Sequence, residues 1–231
     1  INMFRKTLTA IAFSALTVGS AQAITIDDFS VTQILTDPGV SSGTAVGVSS
    51  SIIGLEREAT IVRNTGADAA SLSFNSGATG TMSIANGTGG TSMSTVIWDG
   101  IGASGLGGVD LTDSGAQDAF DLRVIANDFA AQVTITVADT FANVSSLTLA
   151  SPGGIPGPAS IPFLFEYGSF IGTANFLDIN SITLSVNANL NATDVELDFF
   201  GTTTTLVPEP ASLAIIGLGL AGIGFARRRR G

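Results

Sequence analysis

The amino-acid sequence predicts an all-β protein, an antiparallel two-sheet β-sandwich flanked by an N-terminal signal helix and a short C-terminal transmembrane helix. Three observations predict it. Apolar and polar residues alternate in short runs, as in Val133-Thr134-Ile135-Thr136-Val137, where the aliphatics share one face and the threonines the other. Burial on one face alone belongs to antiparallel sheets. The runs are punctuated by Gly, Ser, Asn and Asp, and about a dozen of them fit between the two ends, enough for two packed sheets. Between those ends nothing carries a helical pattern.

Ile1 and Asn2 read as an extension ahead of Met3. Arg5 and Lys6 then form a positive region, Leu8–Val18 an apolar one, and Ala21-Gln22-Ala23 a small-x-small site, the three parts of a secretory signal peptide over residues 1–23. Cleavage is expected between Ala23 and Ile24, with Ala21 and Ala23 fitting the peptidase.

The sandwich is expected over residues 24–206 as one domain. Its strands are placed at Ile24–Ile34, Ala59–Arg63, Ser71–Phe74, Thr81–Ala85, Ser94–Trp98, Phe120–Ala126, Val133–Val137, Leu147–Leu149, Phe163–Tyr167, Phe176–Asp178, Ser181–Val186 and Asp194–Phe199. In the last of these, Val195, Leu197 and Phe199 alternate with Asp194, Glu196 and Asp198, so the acids take the outer face. Two stretches are expected as loops: Val40–Ser51, almost wholly small and polar, and Ser151–Pro162, with four of the seven prolines.

Charge narrows the partners. Without the two ends, nine basic residues fall to three (Arg57, Arg63 and Arg123) and nineteen acids to eighteen, so the formal charge moves from −10 to −15. Nucleic acid and anionic lipid are poor partners for such a surface. Divalent cations and neutral polymers such as glycans suit it better.

Missing residue types narrow the chemistry. There is no Cys, so no disulfide holds the domain, and no His, while Lys6 is the only lysine. Ser-His-Asp and Cys-His nucleophiles, the usual zinc sites and Schiff-base chemistry are thereby excluded.

The C-terminal residues read Pro208-Glu209-Pro210, then Ala211–Ala226 with Ser212 as its only polar side chain, then Arg227, Arg228, Arg229 and Arg230. The prolines hold the joint extended, and the arginines suit a cytoplasmic membrane face. Sixteen residues are short of the roughly 20 that span a bilayer as a helix. The three parts in this order resemble the PEP-CTERM sorting signal of exported bacterial proteins, over residues 207–231. The resemblance implies processing near Pro208-Glu209-Pro210 by an exosortase-type membrane transpeptidase, transient residence in the inner membrane, and delivery to the cell envelope, outer surface or extracellular matrix, where exopolysaccharide is the expected partner.

A second resemblance covers the domain itself. Ile26-Asp27-Asp28-Phe29, Gly54-Leu55-Glu56-Arg57-Glu58, Val109-Asp110-Leu111-Thr112 and Phe176–Ile182 are similar to segments of galactose-binding-like jelly rolls, some of which are carbohydrate-binding modules. That likeness implies a jelly-roll sandwich. For sugar stacking, the exposed aromatics would have to be Trp98 and Tyr167, because the fourteen phenylalanines are expected in the core.

Four acids, Asp110, Asp113, Asp118 and Asp121, lie close together in a Gly- and Ser-containing segment that could fold round calcium, although Asx turns on a solvated loop explain the same residues. No other cofactor is expected. Gly100-Ile101-Gly102-Ala103-Ser104-Gly105 has the dinucleotide-binding spacing but no following helix to hold a pyrophosphate. Only carboxylate-pair glycoside hydrolysis would fit the inventory as an enzyme activity, with Glu56, Glu58, Glu166 and Glu196 as candidates. Glu56 and Glu58 flank Arg57 and are expected to form surface ion pairs. The reading reached is a non-catalytic exported envelope or matrix protein associated with exopolysaccharide and biofilm; the alternative is a carbohydrate-binding module or weak glycosidase.

Overall fold

The computed structural model describes residues 22–37, 40–47, 51–76, 79–190 and 193–205. The greater part of the expected signal peptide, including Ala21, and the whole tail from Pro208 to Arg230 lie outside them. Among the described residues no helix is long and apolar enough to cross a membrane.

The described residues form fourteen strands in chain order: β1 (Thr25–Asp27), β2 (Gln33–Asp37), β3 (Val40–Val46), β4 (Glu56–Thr65), β5 (Ala70–Phe74), β6 (Met82–Asn86), β7 (Thr91–Trp98), β8 (Ala119–Asn127), β9 (Gln132–Asp139), β10 (Val144–Ala150), β11 (Ile155–Glu166), β12 (Ile171–Gly172), β13 (Ile179–Ala188) and β14 (Val195–Thr203). They make two seven-stranded antiparallel sheets. The first runs β11-β8-β14-β6-β5-β2, with β1 also on β14; the second runs β12-β10-β9-β13-β7-β4-β3. The expected sandwich is therefore the observed one.

Alternation places the core. Val133, Ile135 and Val137 on β9 and Ile182, Leu184 and Val186 on β13 are buried, while Thr134, Thr136, Thr183 and Ser185 between them face outward. Thr134 and Thr148 pair their hydroxyls across β9 and β10 at 2.8 Å. Aromatic rings fill one end of the interior: Trp98 lies 5.3 Å from Phe200, Phe200 lies 5.5 Å from Phe120, and Phe120 meets Tyr167 edge-on at 5.1 Å.

Four expected placements of strands and loops are corrected. Val40–Val46 is not a loop; it pairs with β4 at every position from Val40↔Val62 to Val46↔Glu56. An edge strand bonds on one side only, so its small polar residues need little packing. Ser151–Pro162 likewise contains the start of β11, with Pro156 opposite Ala126 and Pro162 opposite Arg123. Those prolines are tolerated because β11 is an edge, where a missing N–H breaks no second ladder. Ile24–Ile34 divides in two, because the Asp27 and Asp28 carboxylates accept the N–H groups of Phe29 and Ser30 and turn the chain. Phe176–Asp178 is a turn closed by Asn175, whose Oδ1 and main-chain oxygen accept from Leu177 and Asp178.

The largest correction concerns Arg57. It forms no surface pair: both it and Asp27 are fully buried, with Arg57 Nη1 2.8 Å from Asp27 Oδ2. Its Nε donates to Gln33 Oε1 at 3.1 Å and its Nη2 to the Val31 carbonyl at 2.8 Å, while the guanidinium lies 3.6 Å above the Phe74 ring. Trp98 Nε1–H also donates to Asp27 Oδ2 at 2.9 Å. Burial still pushes the Asp27 carboxyl above its ordinary range, against the pull of Arg57, Trp98 and the Phe29 N–H. A charged cluster inside a sandwich this apolar ties β1, β4 and β7 into one arrangement.

Candidate functional site

Strand β14 runs through the middle of the first sheet and changes partners along its length. On one side it pairs with β8 throughout; on the other it pairs with β6 at Val195–Leu197 and then with β1 at Phe200 and Gly201. Asp198 and Phe199 lie at the change. There the ladder to β8 is irregular: Leu197 pairs with Val124 but Phe200 with Leu122, so β14 spends three steps where β8 spends two. The extra residue reverses the expected alternation. Phe200 turns into the core, and Phe199, expected inside, is half-exposed on the outer face.

Gly201 makes room for that ring. A Cβ at residue 201 would lie 2.5 Å from Phe199 Cζ and 2.8 Å from the Ile24 carbonyl oxygen, so the ring lies back over the glycine. Around it is a cleft of about 350 Å³ lined by Asp28, Arg123, Asp198 and Phe199. The volume falls in the lower part of the range of small-molecule sites. Arg123 is 44 % exposed and braced by its Nε on Asp121 Oδ2 at 3.1 Å; among the described residues no other group binds its guanidinium. A second hollow of about 170 Å³ adjoins the first half of β14, lined by Asp128, Asp194, Glu196, Asn127 and Ser83 with their neighbours. Glu196 accepts there from Thr81 Oγ1 at 3.0 Å.

This outer face combines one apolar ring, a guanidinium with donors to spare and several carboxylates. Hydroxyl groups can donate to the acids and accept from Arg123 while a ring face covers Phe199. Such a set suits a neutral polyhydroxylated ligand. Sequence reasoning missed Phe199, Arg123, Asp198 and Asp28 as a group. One signal was available: two adjacent phenylalanines before Gly201 cannot both point inward in a regular strand.

The expected site residues fare differently. Trp98 is fully buried. Tyr167 is half-buried, stacked on Phe176 at 4.4 Å, with its hydroxyl donating to the Leu111 carbonyl. Burial, aided by the Asp118 and Asp110 carboxylates, raises the pKa of that hydroxyl far above its ordinary value. Neither ring offers an open platform.

The four nominated calcium ligands are drawn to separate partners. Asp110 accepts from Thr112 N–H, Thr112 Oγ1 and Ser114 N–H; Asp113 accepts from Gln22 N–H; Asp118 accepts from Thr205; Asp121 holds Arg123. Burial works against the Asp110 anion, yet the bonds from Thr112 and Ser114 keep its pKa below the ordinary value. Among the described residues no group of three or more acids is gathered as a metal site.

Two of the nominated glutamates, Glu166 and Glu196, are also far apart. Glu56 and Glu58 lie on β4 in the second sheet, whereas Glu196 and Glu166 belong to the first, opposite Ala126 and Ala119 at the two ends of β8. Seven strand residues separate those ends by about 23 Å, well beyond the roughly 5 to 10 Å of a glycosidase pair. Glu56 Oε1 accepts from the Gly102 N–H at 2.9 Å, and burial together with Glu56 raises the pKa of the neighbouring Asp99.

The tail is identified by its own match. Residues 206–230 are a PEP-CTERM protein-sorting motif. The PEP-CTERM motif marks an exported protein, processed by exosortase and sorted to the cell envelope or beyond it. No curated protein matches the chain. Among solved structures it is similar to a family 11 carbohydrate-binding module from Clostridium thermocellum in complex with a β-1,3-1,4-mixed-linked tetrasaccharide, at 13% identity and TM-score 0.40, covering 81% of this chain and 99% of that one. It is also similar to TmCBM61 in complex with β-1,4-galactotriose, at 12% identity and TM-score 0.36, covering 77% and 90%. An exo-β-agarase matches at 13% identity and TM-score 0.41, covering 83% of this chain but 26% of that one. These likenesses say nothing of what this chain binds.

Proposed function

We propose that the chain is a non-catalytic protein of the cell envelope or extracellular matrix, delivered by the exosortase system, whose first sheet contacts exopolysaccharide. Delivery rests on the PEP-CTERM motif. The contact rests on one observation: Phe199 is held out over Gly201 in a cleft shared with Arg123, Asp28 and Asp198. A surface of net charge −15 is wrong for nucleic acid, and a neutral or weakly charged polymer of hydroxyl groups meets it at least electrostatic cost.

The test is a glycan array followed by titration of the bound polymer against the Phe199→Ala and Asp198→Asn variants. Losing the ring contact should weaken binding about tenfold, the equivalent of one buried aromatic side chain, with no release of reducing ends. Equal binding by both variants would sink the assignment, and steady hydrolysis abolished by Glu56→Gln or Glu166→Gln would favour the glycosidase reading. Delivery has its own check. Replacing Pro208-Glu209-Pro210 by alanines should leave the protein at the membrane with its arginines attached, and unchanged release would count against it.

A further inference from the structure

The two most exposed large apolar side chains among the described residues, Ile171 at 83 % and Phe141 at 81 %, lie at one end of the sandwich, beside half-exposed Leu177 and Val144. They are neighbours by construction. Ile171 pairs with Ser146 on β10, and the Thr173 N–H bonds the Val144 carbonyl. Phe141 tops the β9–β10 turn, where the Asp139 carboxylate accepts from the N–H groups of Phe141, Asn143 and Asn175 and from Asn143 Nδ2. Thr140 N–H bonds the Asp178 carbonyl, next to Leu177. A turn tied at this many points presents its apolar tips in a fixed arrangement.

The chain leaves the domain at this same end. Thr205 is bound by both oxygens of Asp118, the Asp118 carbonyl accepts from Tyr167 N–H, and Tyr167 stacks on Phe176, the residue before Leu177. Six peptide units separate Thr205 from Ala211, the first residue of the apolar segment, a reach of about 20 Å at full extension. A ten-residue strand such as β13 is about 33 Å long. The leash is thus shorter than the sandwich, and the end from which it departs must face whatever holds the apolar segment.

We infer that this end, led by Phe141 and Ile171, rests on the lipid bilayer surface while the PEP-CTERM tail holds the precursor there. The inference rests on the reading that Ala211–Ala226 lies in the membrane. Asp139, Asp118, Asp110 and Asp178 are each held by bonds within the end itself, while Glu166, opposite Ala119, is exposed there, so the end suits a zwitterionic surface better than an anionic one. Contact with anionic lipid is the weaker case, given the charge of the domain.

The cysteine-free chain allows single-site labelling. The full chain carrying Phe141→Cys or Ile171→Cys, labelled with an environment-sensitive fluorophore, is reconstituted in phosphatidylcholine vesicles containing a lipid-borne quencher. Phe129→Cys, 50 % exposed at the opposite end beyond β8, is the control. The expected result is a blue-shifted, lipid-quenched signal at residues 141 and 171 and an aqueous, unquenched one at 129. Partial replacement by phosphatidylglycerol should reduce the difference. Aqueous signals at all three sites on chains that float with the vesicles would overturn the bilayer contact and leave the tail reading intact. Chains that fail to float would overturn the tail reading, and the contact with it. A blue shift without lipid quenching would mean that protein covers the end, a second copy or the processing enzyme, and would also overturn the proposal.

Discussion

Arg57→Met removes a guanidinium that donates to Asp27, Gln33 and the Val31 carbonyl from a site closed to water. Methionine fills most of the volume, so the cost is chiefly electrostatic: the Asp27 carboxylate stays buried with only Trp98 Nε1–H and the Phe29 N–H to hold its charge. Breaking a buried pair in this way costs about 3–5 kcal/mol. For a domain of this size, that lowers the melting temperature by about 6–20 °C. The double variant Arg57→Met with Asp27→Asn removes both charges and keeps an acceptor for Trp98, so it should lose less than the single variant. Urea unfolding followed by the fluorescence of Trp98, the one tryptophan of the chain and fully buried, reads both. Midpoints should be compared rather than intensities, because Asp27 touches the fluorophore. A loss below about 1 kcal/mol in the single variant, or a double variant that loses the sum of both single changes, would refute the account of Arg57 as the partner Asp27 needs.

Gly201→Ala should cost about 1–3 kcal/mol, because the new methyl meets both the Phe199 ring and a main-chain oxygen; it should also weaken glycan binding as much as Phe199→Ala, and a variant with unchanged binding would show that the ring does not depend on the glycine. The Asn143 side chain, with N–H groups of Asn175, Asn143 and Phe141, holds the Asp139 pKa below its ordinary value despite burial, so its contribution is present above the unfolded-state pKa of about 3.9 and is lost as pH falls through the folded value. Asp139→Asn should therefore be less stable than the parent at pH 6 and show a shallower fall in urea midpoint between pH 4 and 2; equal slopes would contradict this. Millimolar calcium should leave the melting temperature unchanged, since Asp110, Asp118 and Asp121 serve separate partners within the domain, and a rise of several degrees would restore the calcium site.

The centre of the fold was the most readable part of the chain. Strands such as Val133–Val137 and Ser181–Val186 pack one face against a core and bond on both sides, so burial imposes a strict two-residue period. Edges hide better. Val40–Val46 and Ile155–Pro162 bond on one side only, so their composition can match that of loops. The site was hidden by a single extra residue. Asp194–Phe199 alternates perfectly as written, and only the step between Leu197 and Phe200, set by the meeting of β1 and β6 beside β14, puts Phe199 outside. Arg57 was misread for a similar reason: its partner Asp27 lies thirty residues away on the strand that closes the first sheet. Local pattern reports which face a residue shares, and distant pairing decides what lies opposite.

The position of β14 also sets an order of events in time. The last described strand lies between β8 and β6, and β1, the first, joins the sheet through it, with Thr25 opposite Gly201. An exported chain that emerges N-terminus first therefore cannot close its first sheet, nor shield Phe200 and Phe120, until almost the whole domain has crossed the membrane. On the proposed delivery route, the sandwich becomes complete before the tail is cut, so that cutting releases a finished domain instead of an open sheet edge.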